Sequence, residues 1–230
     1  MLLLACDTSN STCSAGLYDG GKELEYELSM ENRTHSETFM PLVERVLNKA
    51  DRKYSDLDVL AVTTGPGSFT GIRIGVSTVK GMAIALDIPC IAVSSTHALA
   101  GSVETESDLP EDTIIVPCFD ARNNRVFASV ISHHNMEELV EEGAYGAADL
   151  GYLISDIPDI KDKKVFVVGN GAEVMHDVLE RLDIKADYAA GAVILPRGVA
   201  AAALKSKKLV NAAELTASYC AVSSAERLRQ

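Results

Sequence analysis

Two stretches carry residue types and spacings that could do chemistry. The first is Asp7-Thr8-Ser9-Asn10-Ser11, which follows the apolar run Leu2–Cys6. An aspartate at the end of a buried strand has two readings. Its carboxylate can reach a hydrated cation on a nucleotide phosphate while the turn N–H groups face that phosphate. It can instead cap its own turn through local side-chain hydrogen bonds, which is the commoner arrangement. Asp120 closes a second apolar run, Ile114–Phe119, but Ala121-Arg122-Asn123 after it brings no hydroxyls. The second stretch is Gly65-Pro66-Gly67-Ser68-Phe69-Thr70-Gly71, fed by Val59–Val62. It matches a phosphate loop in outline only. That loop opens its helix with Gly-Lys-Ser/Thr, and here the first basic residue is Arg73. Gly169-Asn170-Gly171-Ala172 is a glycine turn of the same kind after Val165–Val168. It could leave room for an adenine or a phosphate, but a plain turn is the simpler reading.

Other chemistries find little support. The five histidines, His35, His97, His133, His134 and His176, contain no i, i+4 pair and no second ligand in a recognisable metal motif. His133 and His134 would point to opposite faces of a strand. The hydrolase elbow Gly-x-Ser-x-Gly is absent, because Gly67-Ser68-Phe69-Thr70-Gly71 has the wrong spacing. The five cysteines are scattered without a C-x-x-C and read as reduced thiols of a cytoplasmic protein. The net charge of −12 argues against independent nucleic-acid binding. Met1–Cys6 is too short for a signal h-region, and no apolar run approaches the ~20 residues of a membrane span.

The elements that must position these residues follow from periodicity. Leu2–Cys6, Thr12–Tyr18 and Glu23–Ser29, the last two joined at Asp19-Gly20-Gly21, read as an antiparallel meander. Phe39, Leu42, Val43, Val46, Leu47 and Ala50 make the apolar stripe of a helix that begins near Ser36–Thr38, since Pro41 belongs near a helix start. The next helix runs from Ser68, a candidate N-cap, to about Leu86. It is apolar nearly all round, with a narrow polar stripe at Thr70, Arg73, Ser77 and Lys80. Such a helix is buried on more than one side. One side can be the sheet, and the other needs a second helix of a two-sided core or another protein chain. Gly71 and Gly75, one turn apart, and Gly81 would let that neighbour come close. A protein surface shared with the Phe39–Ala50 helix is the favoured reading. Cys90–Val93 and a helix from His97 to Val103 extend the sheet in parallel. Glu104–Asp112 reads as a linker. Beyond it the plan of the first half recurs at Ile114–Phe119, Val126–Ser132, Val165–Val168 and Ala172–Leu182. The alanine-rich helix Pro196–Ser206 follows. The expected domains are residues 1–103 with a returning segment at about 217–230, and residues 104–216.

Leu4-Ala5-Cys6-Asp7-Thr8-Ser9, His35-Ser36-Glu37, Gly65 to Gly75, Lys80-Gly81-Met82-Ala83 and Val93-Ser94-Ser95 closely resemble the TsaB (YeaZ) family of bacterial tRNA threonylcarbamoyladenosine biosynthesis proteins. Asp120-Ala121-Arg122 and Gly169-Asn170-Gly171-Ala172 fit the second half of that pattern. The resemblance implies an α/β fold of two duplicated actin/Hsp70-like (ribonuclease H-like) domains, with mixed sheets flanked by helices. It implies a non-catalytic subunit that pairs with the metal-bearing transferase subunit TsaD, works with the ATPase TsaE, meets tRNA only within the complex and forms a homodimer when alone. The partner interface so implied is Phe39, Met40, Val43, Leu47, Thr70, Gly71, Arg73, Ile74, Gly75, Ser77, Thr78 and Gly81. Candidate nucleotide contacts, for ATP or ADP in the cleft or at the subunit junction, are Asp7, Thr8, Gly169 and Gly171. A small phosphotransferase of the same fold is the alternative reading. TsaD-like chains carry His-x-x-x-His where this chain has His97 and Gly101, which argues against a metal-dependent active site here. Tyr219-Cys220-Ala221 departs from the family's usual Tyr-Leu-Arg, and one basic residue is lost.

Overall fold

The structure, a computed structural model, describes residues 1–30, 34–104 and 109–220. The chain divides into two units, one of Met1–Thr105 with Val193–Ser218 and one of Glu106–Ala192 with Tyr219–Gln230.

In the first unit β1 (Leu2–Asp7), β2 (Cys13–Asp19) and β3 (Lys22–Ser29) form the meander, and α1 (His35–Lys49) follows. Then come β4 (Val59–Gly65), α2 (Phe69–Leu86), β5 (Cys90–Ser94) and α3 (Ser95–Glu104). The sheet order is β3-β2-β1-β4-β5, with β1, β4 and β5 parallel. Every residue of β1 is buried, as its unbroken apolar run requires. Leu2, Leu4 and Cys6 join the core under α1 and α2. Leu3, Ala5 and Asp7 therefore point to the opposite face. The helix α1 starts at His35, one residue before the Ser36–Thr38 start expected from Pro41. Thr34 caps it, with its N–H and Oγ1 both donating to Glu37 Oε2 at 3.3 and 2.8 Å, and Pro41 sits exposed in the second turn.

The second unit repeats the plan. β6 (Ile114–Asp120), β7 (Arg125–Ser132), β8 (Glu138–Gly146), α4 (Ala147–Ser155), β9 (Val165–Val168), α5 (Ala172–Arg181) and β10 (Ala186–Ala189) give the order β8-β7-β6-β9-β10. The two sheets have identical topology, so each half is one copy of an actin-like domain. The elements β8, α4 and β10 have no counterpart in the sequence reading.

The last helix, α6 (Pro196–Ser206), corrects the expected boundary. The sequence places it in residues 104–216 with the second domain, yet it packs on α3 and across the sheet of the first unit. Small residues let it in. A Cβ on Gly16 of β2 would lie 2.6 Å from Pro196 Cβ, and one on Gly198 would collide with Ala98 O and Ser102 Oγ. The chain then runs along β5, where Cys90 N–H donates to Val210 O at 2.9 Å and Val210 N–H to Cys90 O at 2.8 Å. It ends the unit where Ser218 N–H donates to Thr64 O at 2.7 Å. Of the segment expected to return at 217–230, residues 221–230 lie outside the described residues, as do 105–108 of the linker. The helix α2 is long and apolar enough, by length and composition alone, to cross a bilayer. The expectation that no segment approaches that length counted unbroken apolar runs, which Arg73 and Lys80 interrupt. One face of α2 is core: Gly71, Ile72, Gly75, Val76, Val79, Met82 and Ala83 are buried.

Candidate functional site

The sequence motifs that stood apart meet at the end of β1. Asp7 is fully buried, and its Oδ1 accepts from Ser9 N–H at 3.0 Å, Ser9 Oγ at 2.6 Å and Thr63 Oγ1 at 2.5 Å. Thr63 stands beside it because β1 and β4 run parallel with Cys6 opposite Val62. Burial pushes the Asp7 carboxyl above the usual carboxylate range, although these bonds and the nearby His35 pull the other way. Its second oxygen, Oδ2, has no hydrogen-bond partner among the described residues. Asp7 thus does cap its own turn, and Oδ2 is the oxygen left over.

The turn that Asp7 holds is wedged against α2. Thr8 Oγ1 donates to Gly71 O at 2.8 Å. A Cβ on Gly71 would collide with Thr8 O, and one on Gly75 with Thr8 Oγ1. Ser68 N–H donates to Ser9 O at 2.7 Å, and a Cβ on Gly67 would collide with that same Ser9 O. Gly65 and Gly67 have φ of +124° and +152°, so the turn needs glycine on conformational grounds as well. Ser68 caps α2 as expected, its Oγ accepting from Gly71 N–H at 3.2 Å. The start of α1 joins in: His35 Nε2 lies 2.7 Å from Asn10 O.

This geometry corrects two expectations about the interface residues. Gly71 and Gly75 were expected to clear space for a partner helix. The space they clear is filled by Thr8 of their own chain. Phe39, Val43 and Leu47 were placed on the interface, but they lie fully buried in the core beneath α1, and Met40 is half-buried against the same core. The exposed side of α1 is instead Glu37, Pro41, Glu44, Arg45, Asn48 and Lys49. The remaining residues keep an outward position. Thr70, Arg73, Ser77 and Gly81 are exposed, Ile74 and Thr78 half-buried, and a Cβ on Gly81 would meet open space. The Arg73 guanidinium lies 3.7 Å over the Phe69 ring. Two residues missed from the sequence complete this face. Phe69 is 40% and Ile84 67% exposed. Ile84 follows Gly81 by three and Ser77 by seven, a spacing that put it on this face from the start. Among the described residues, burial of α2 on two sides is therefore not the arrangement found, since Thr70, Arg73, Ser77, Gly81 and Ile84 remain exposed.

In the second unit the counterpart turn is closed on itself. Gly171 N–H donates to Cys118 O at 3.2 Å, and a Cβ on Gly171 would lie 3.0 Å from the Phe119 carbonyl carbon. Gly169 has φ of +102°. Asp120 is exposed; its N–H donates to Asn170 Oδ1 at 3.0 Å and its Oδ1 accepts from Arg122 N–H at 2.7 Å. On α3, a Cβ on Gly101 would lie 3.2 Å from Gly198 O, so α6 occupies the space a histidine side chain would need. Among the described residues no group of three His, Cys, Asp or Glu side chains could hold a metal ion.

The comparisons with known proteins agree with this picture. A family model described as TsaD, tRNA N6-adenosine threonylcarbamoyltransferase, matches residues 29–230. The Bacillus subtilis tRNA threonylcarbamoyladenosine biosynthesis protein TsaB is 33% identical over 182 residues, which cover 78% of this chain and 76% of that one. Its Haemophilus influenzae namesake is 36% identical over 132 residues, 57% of this chain and 54% of its own. Among solved structures, a Pseudomonas aeruginosa protein described as uncharacterized with similarity to the peptidase YeaZ superposes with a TM-score of 0.82 at 25% identity, covering 96% of this chain and 99% of that one. The motifs that meet at the end of β1, the duplicated sheet and these likenesses lead to one conclusion: the chain belongs to the TsaB (YeaZ) family of tRNA threonylcarbamoyladenosine biosynthesis proteins.

Proposed function

We propose that the chain is a non-catalytic subunit that binds and stabilises TsaD through the outer face of α2. It would thereby support placing the threonylcarbamoyl group on the adenosine next to the tRNA anticodon. One observation carries the reading. On a chain of net charge −12, the outer face of α2 presents Phe69, Thr70, Ile74, Ser77, Thr78, Gly81, Ile84 and Ala85 with no acidic residue and two basic ones, the exposed Arg73 and the half-buried Lys80, whose Nζ donates to Ala213 O at 3.1 Å. A helix face meant for water carries charge, as α5 does with Glu173, Asp177, Glu180 and Arg181. A face with little charge and small residues at its centre suits close packing with another chain. The match of residues 29–230 to the transferase's own family model supports a partner of related fold, with which a paired-helix junction is natural. In this reading the same face pairs two copies of the chain when TsaD is absent, and TsaE and tRNA are met only within the assembly. Co-purification with TsaD tests it. Gly81→Arg and Ile84→Glu are expected to abolish capture and Arg73→Glu to weaken it; capture unchanged in all three would refute the reading.

A second reading, ATP or ADP bound with a cation near Asp7, draws support from the unpartnered Asp7 Oδ2. Against it, the Thr8 and Ser9 hydroxyls are already engaged with Gly71 O and Asp7. Calorimetry of the isolated chain with ATP and magnesium separates the two. Tight binding that is lost in Asp7→Asn would favour the nucleotide; absence of heat leaves the docking subunit.

A further inference from the structure

We infer that Thr8 is a positioning residue for the docking face of α2: its side chain, seated between Gly71 and Gly75, fixes how that helix is presented. The inference rests on the proposed role of α2 and adds to it the device that sets the helix.

Four observations lead there. Thr8 is completely buried, and its hydroxyl donates to Gly71 O at 2.8 Å, a carbonyl inside the first turns of α2. Gly71 and Gly75 leave no room for a Cβ against Thr8, so helix and turn fit as socket and knob. Glycine at two interior helix positions costs about 1 kcal/mol each against alanine. That cost has a local reason only if the close seat matters. Third, Thr8 is itself held from behind, because Asp7 ties down Ser9 and Thr63 on either side of it. Fourth, the duplicated half provides an internal control. Where Asp7 is followed by Thr8, Asp120 is followed by Ala121, which has no hydroxyl. Where α2 carries Gly71 and Gly75, α5 has no glycine at all between Ala172 and Arg181. Of these two counterpart helices, the one without the seat carries Glu173, Asp177 and Glu180 on its outer face, and the one with the seat carries no acidic residue. A surface that must meet a second chain in one register gains from a fixed tilt, because rigidity in the free state lowers the ordering cost of association.

The seat works through one hydrogen bond and one shape. Thr8→Val keeps the shape and removes the donor. Thr8→Ser keeps the donor and removes a methyl. Full-length wild type, Thr8→Val and Thr8→Ser are compared by hydrogen exchange of the isolated chain and by affinity for TsaD. Loss of one buried hydrogen bond corresponds to roughly a tenfold change. Thr8→Val is therefore expected to raise exchange in residues 72–79 about tenfold with α5 unchanged, and to weaken TsaD binding by about the same factor. Thr8→Ser is expected to restore both. Three outcomes overturn the inference. One is wild-type exchange and affinity in Thr8→Val. Another is equal loss in Thr8→Ser. The third is exchange rising equally through β1, α1 and α2, because Thr8 would then hold the fold and not the helix. Arg73→Glu and Gly81→Arg run alongside. If they also bind TsaD normally, the docking reading itself has failed; if they alone lose binding, only the role of Thr8 has.

Discussion

The two halves of the molecule share one topology and use it differently. In both, a central strand ends in aspartate and a glycine turn from the neighbouring parallel strand closes over it. In the first half the aspartate is buried, organises a hydroxyl-rich turn and presses Thr8 into the helix that follows. In the second half the aspartate is exposed, the turn meets the strand end through Gly171 N–H and Asn170 Oδ1, and the helix has no seat. The difference teaches where the constraint lies. The duplicated plan needs the glycine turn for its own closure, whereas Gly71 and Gly75 inside α2 answer to Thr8. The two counterpart helices differ in their outer faces as well, α2 carrying no acidic residue and α5 carrying Glu173, Asp177 and Glu180.

The largest expected effect breaks this comparison by filling the seat. Alanine in a helix is normally favoured over glycine by about 1 kcal/mol. At Gly71 and Gly75 the added methyl has the Thr8 turn in its way, and overpacking of this kind costs about 1–3 kcal/mol even after relaxation. Gly71→Ala and Gly75→Ala are therefore expected to lower the melting temperature of the chain by several degrees, while Gly81→Ala, facing open space, leaves it level or raises it. Gly171→Ala in the second half, at ordinary backbone φ and with its nearest contact at 3.0 Å, is expected to fall between them. Thermal unfolding followed by circular dichroism checks the order. Equal losses at all four positions would mean that no seat distinguishes the halves.

A smaller effect sharpens the comparison of the two aspartates. Burial raises the pKa of Asp7 in the folded chain above its unfolded value, so the folded state holds that proton more tightly. The resulting stability is fully present below the unfolded value of about 3.9 and is lost as pH rises through the folded one. Asp7→Asn keeps an acceptor for Ser9 and Thr63 and removes the charge. The melting temperature of Asp7→Asn minus that of wild type is expected to become more favourable as pH rises from the unfolded carboxyl value of about 3.9 through the higher folded one. Asp120→Asn, at an exposed side chain, is expected to change the melting temperature little. A constant offset for Asp7→Asn would place its carboxyl outside the desolvated setting described here.

Much of the fold was legible because periodicity and turn chemistry are local. Leu2–Cys6, Val59–Val62 and Val165–Val168 are short unbroken apolar runs between breakers, and each became a central parallel strand. The helices α2, α5 and α6 keep the bounds their patterns gave to within a residue or so. What escaped has physical reasons. β8 carries Glu138, Glu141 and Glu142 with two glycines, so its alternation is masked by charge. β10 has four residues, too few for a period to register. The destination of α6 is a long-range packing choice made by Gly16, Gly101 and Gly198, none of which advertises its partner. The meeting of Asp7-Thr8-Ser9 with Gly67, Gly71 and Gly75 depends on parallel pairing of strands more than fifty residues apart. The sequence offered the right glycines and the right question, namely what approaches them, but not the answer that it is the chain's own threonine.

The central claim is that the docking surface is the outer face of α2 and not an exposed apolar spot elsewhere. The second half offers such a spot, since Tyr152 on α4 is 61% exposed. The direct test is the affinity for TsaD of Gly81→Arg and of Tyr152→Arg, each as the full chain and each checked for an unchanged melting curve. A large side chain at the centre of an interface commonly costs about 2 kcal/mol or more, roughly thirtyfold in affinity. The account predicts at least that loss for Gly81→Arg and wild-type affinity for Tyr152→Arg. Wild-type binding by Gly81→Arg, above all with binding lost in Tyr152→Arg, would contradict it.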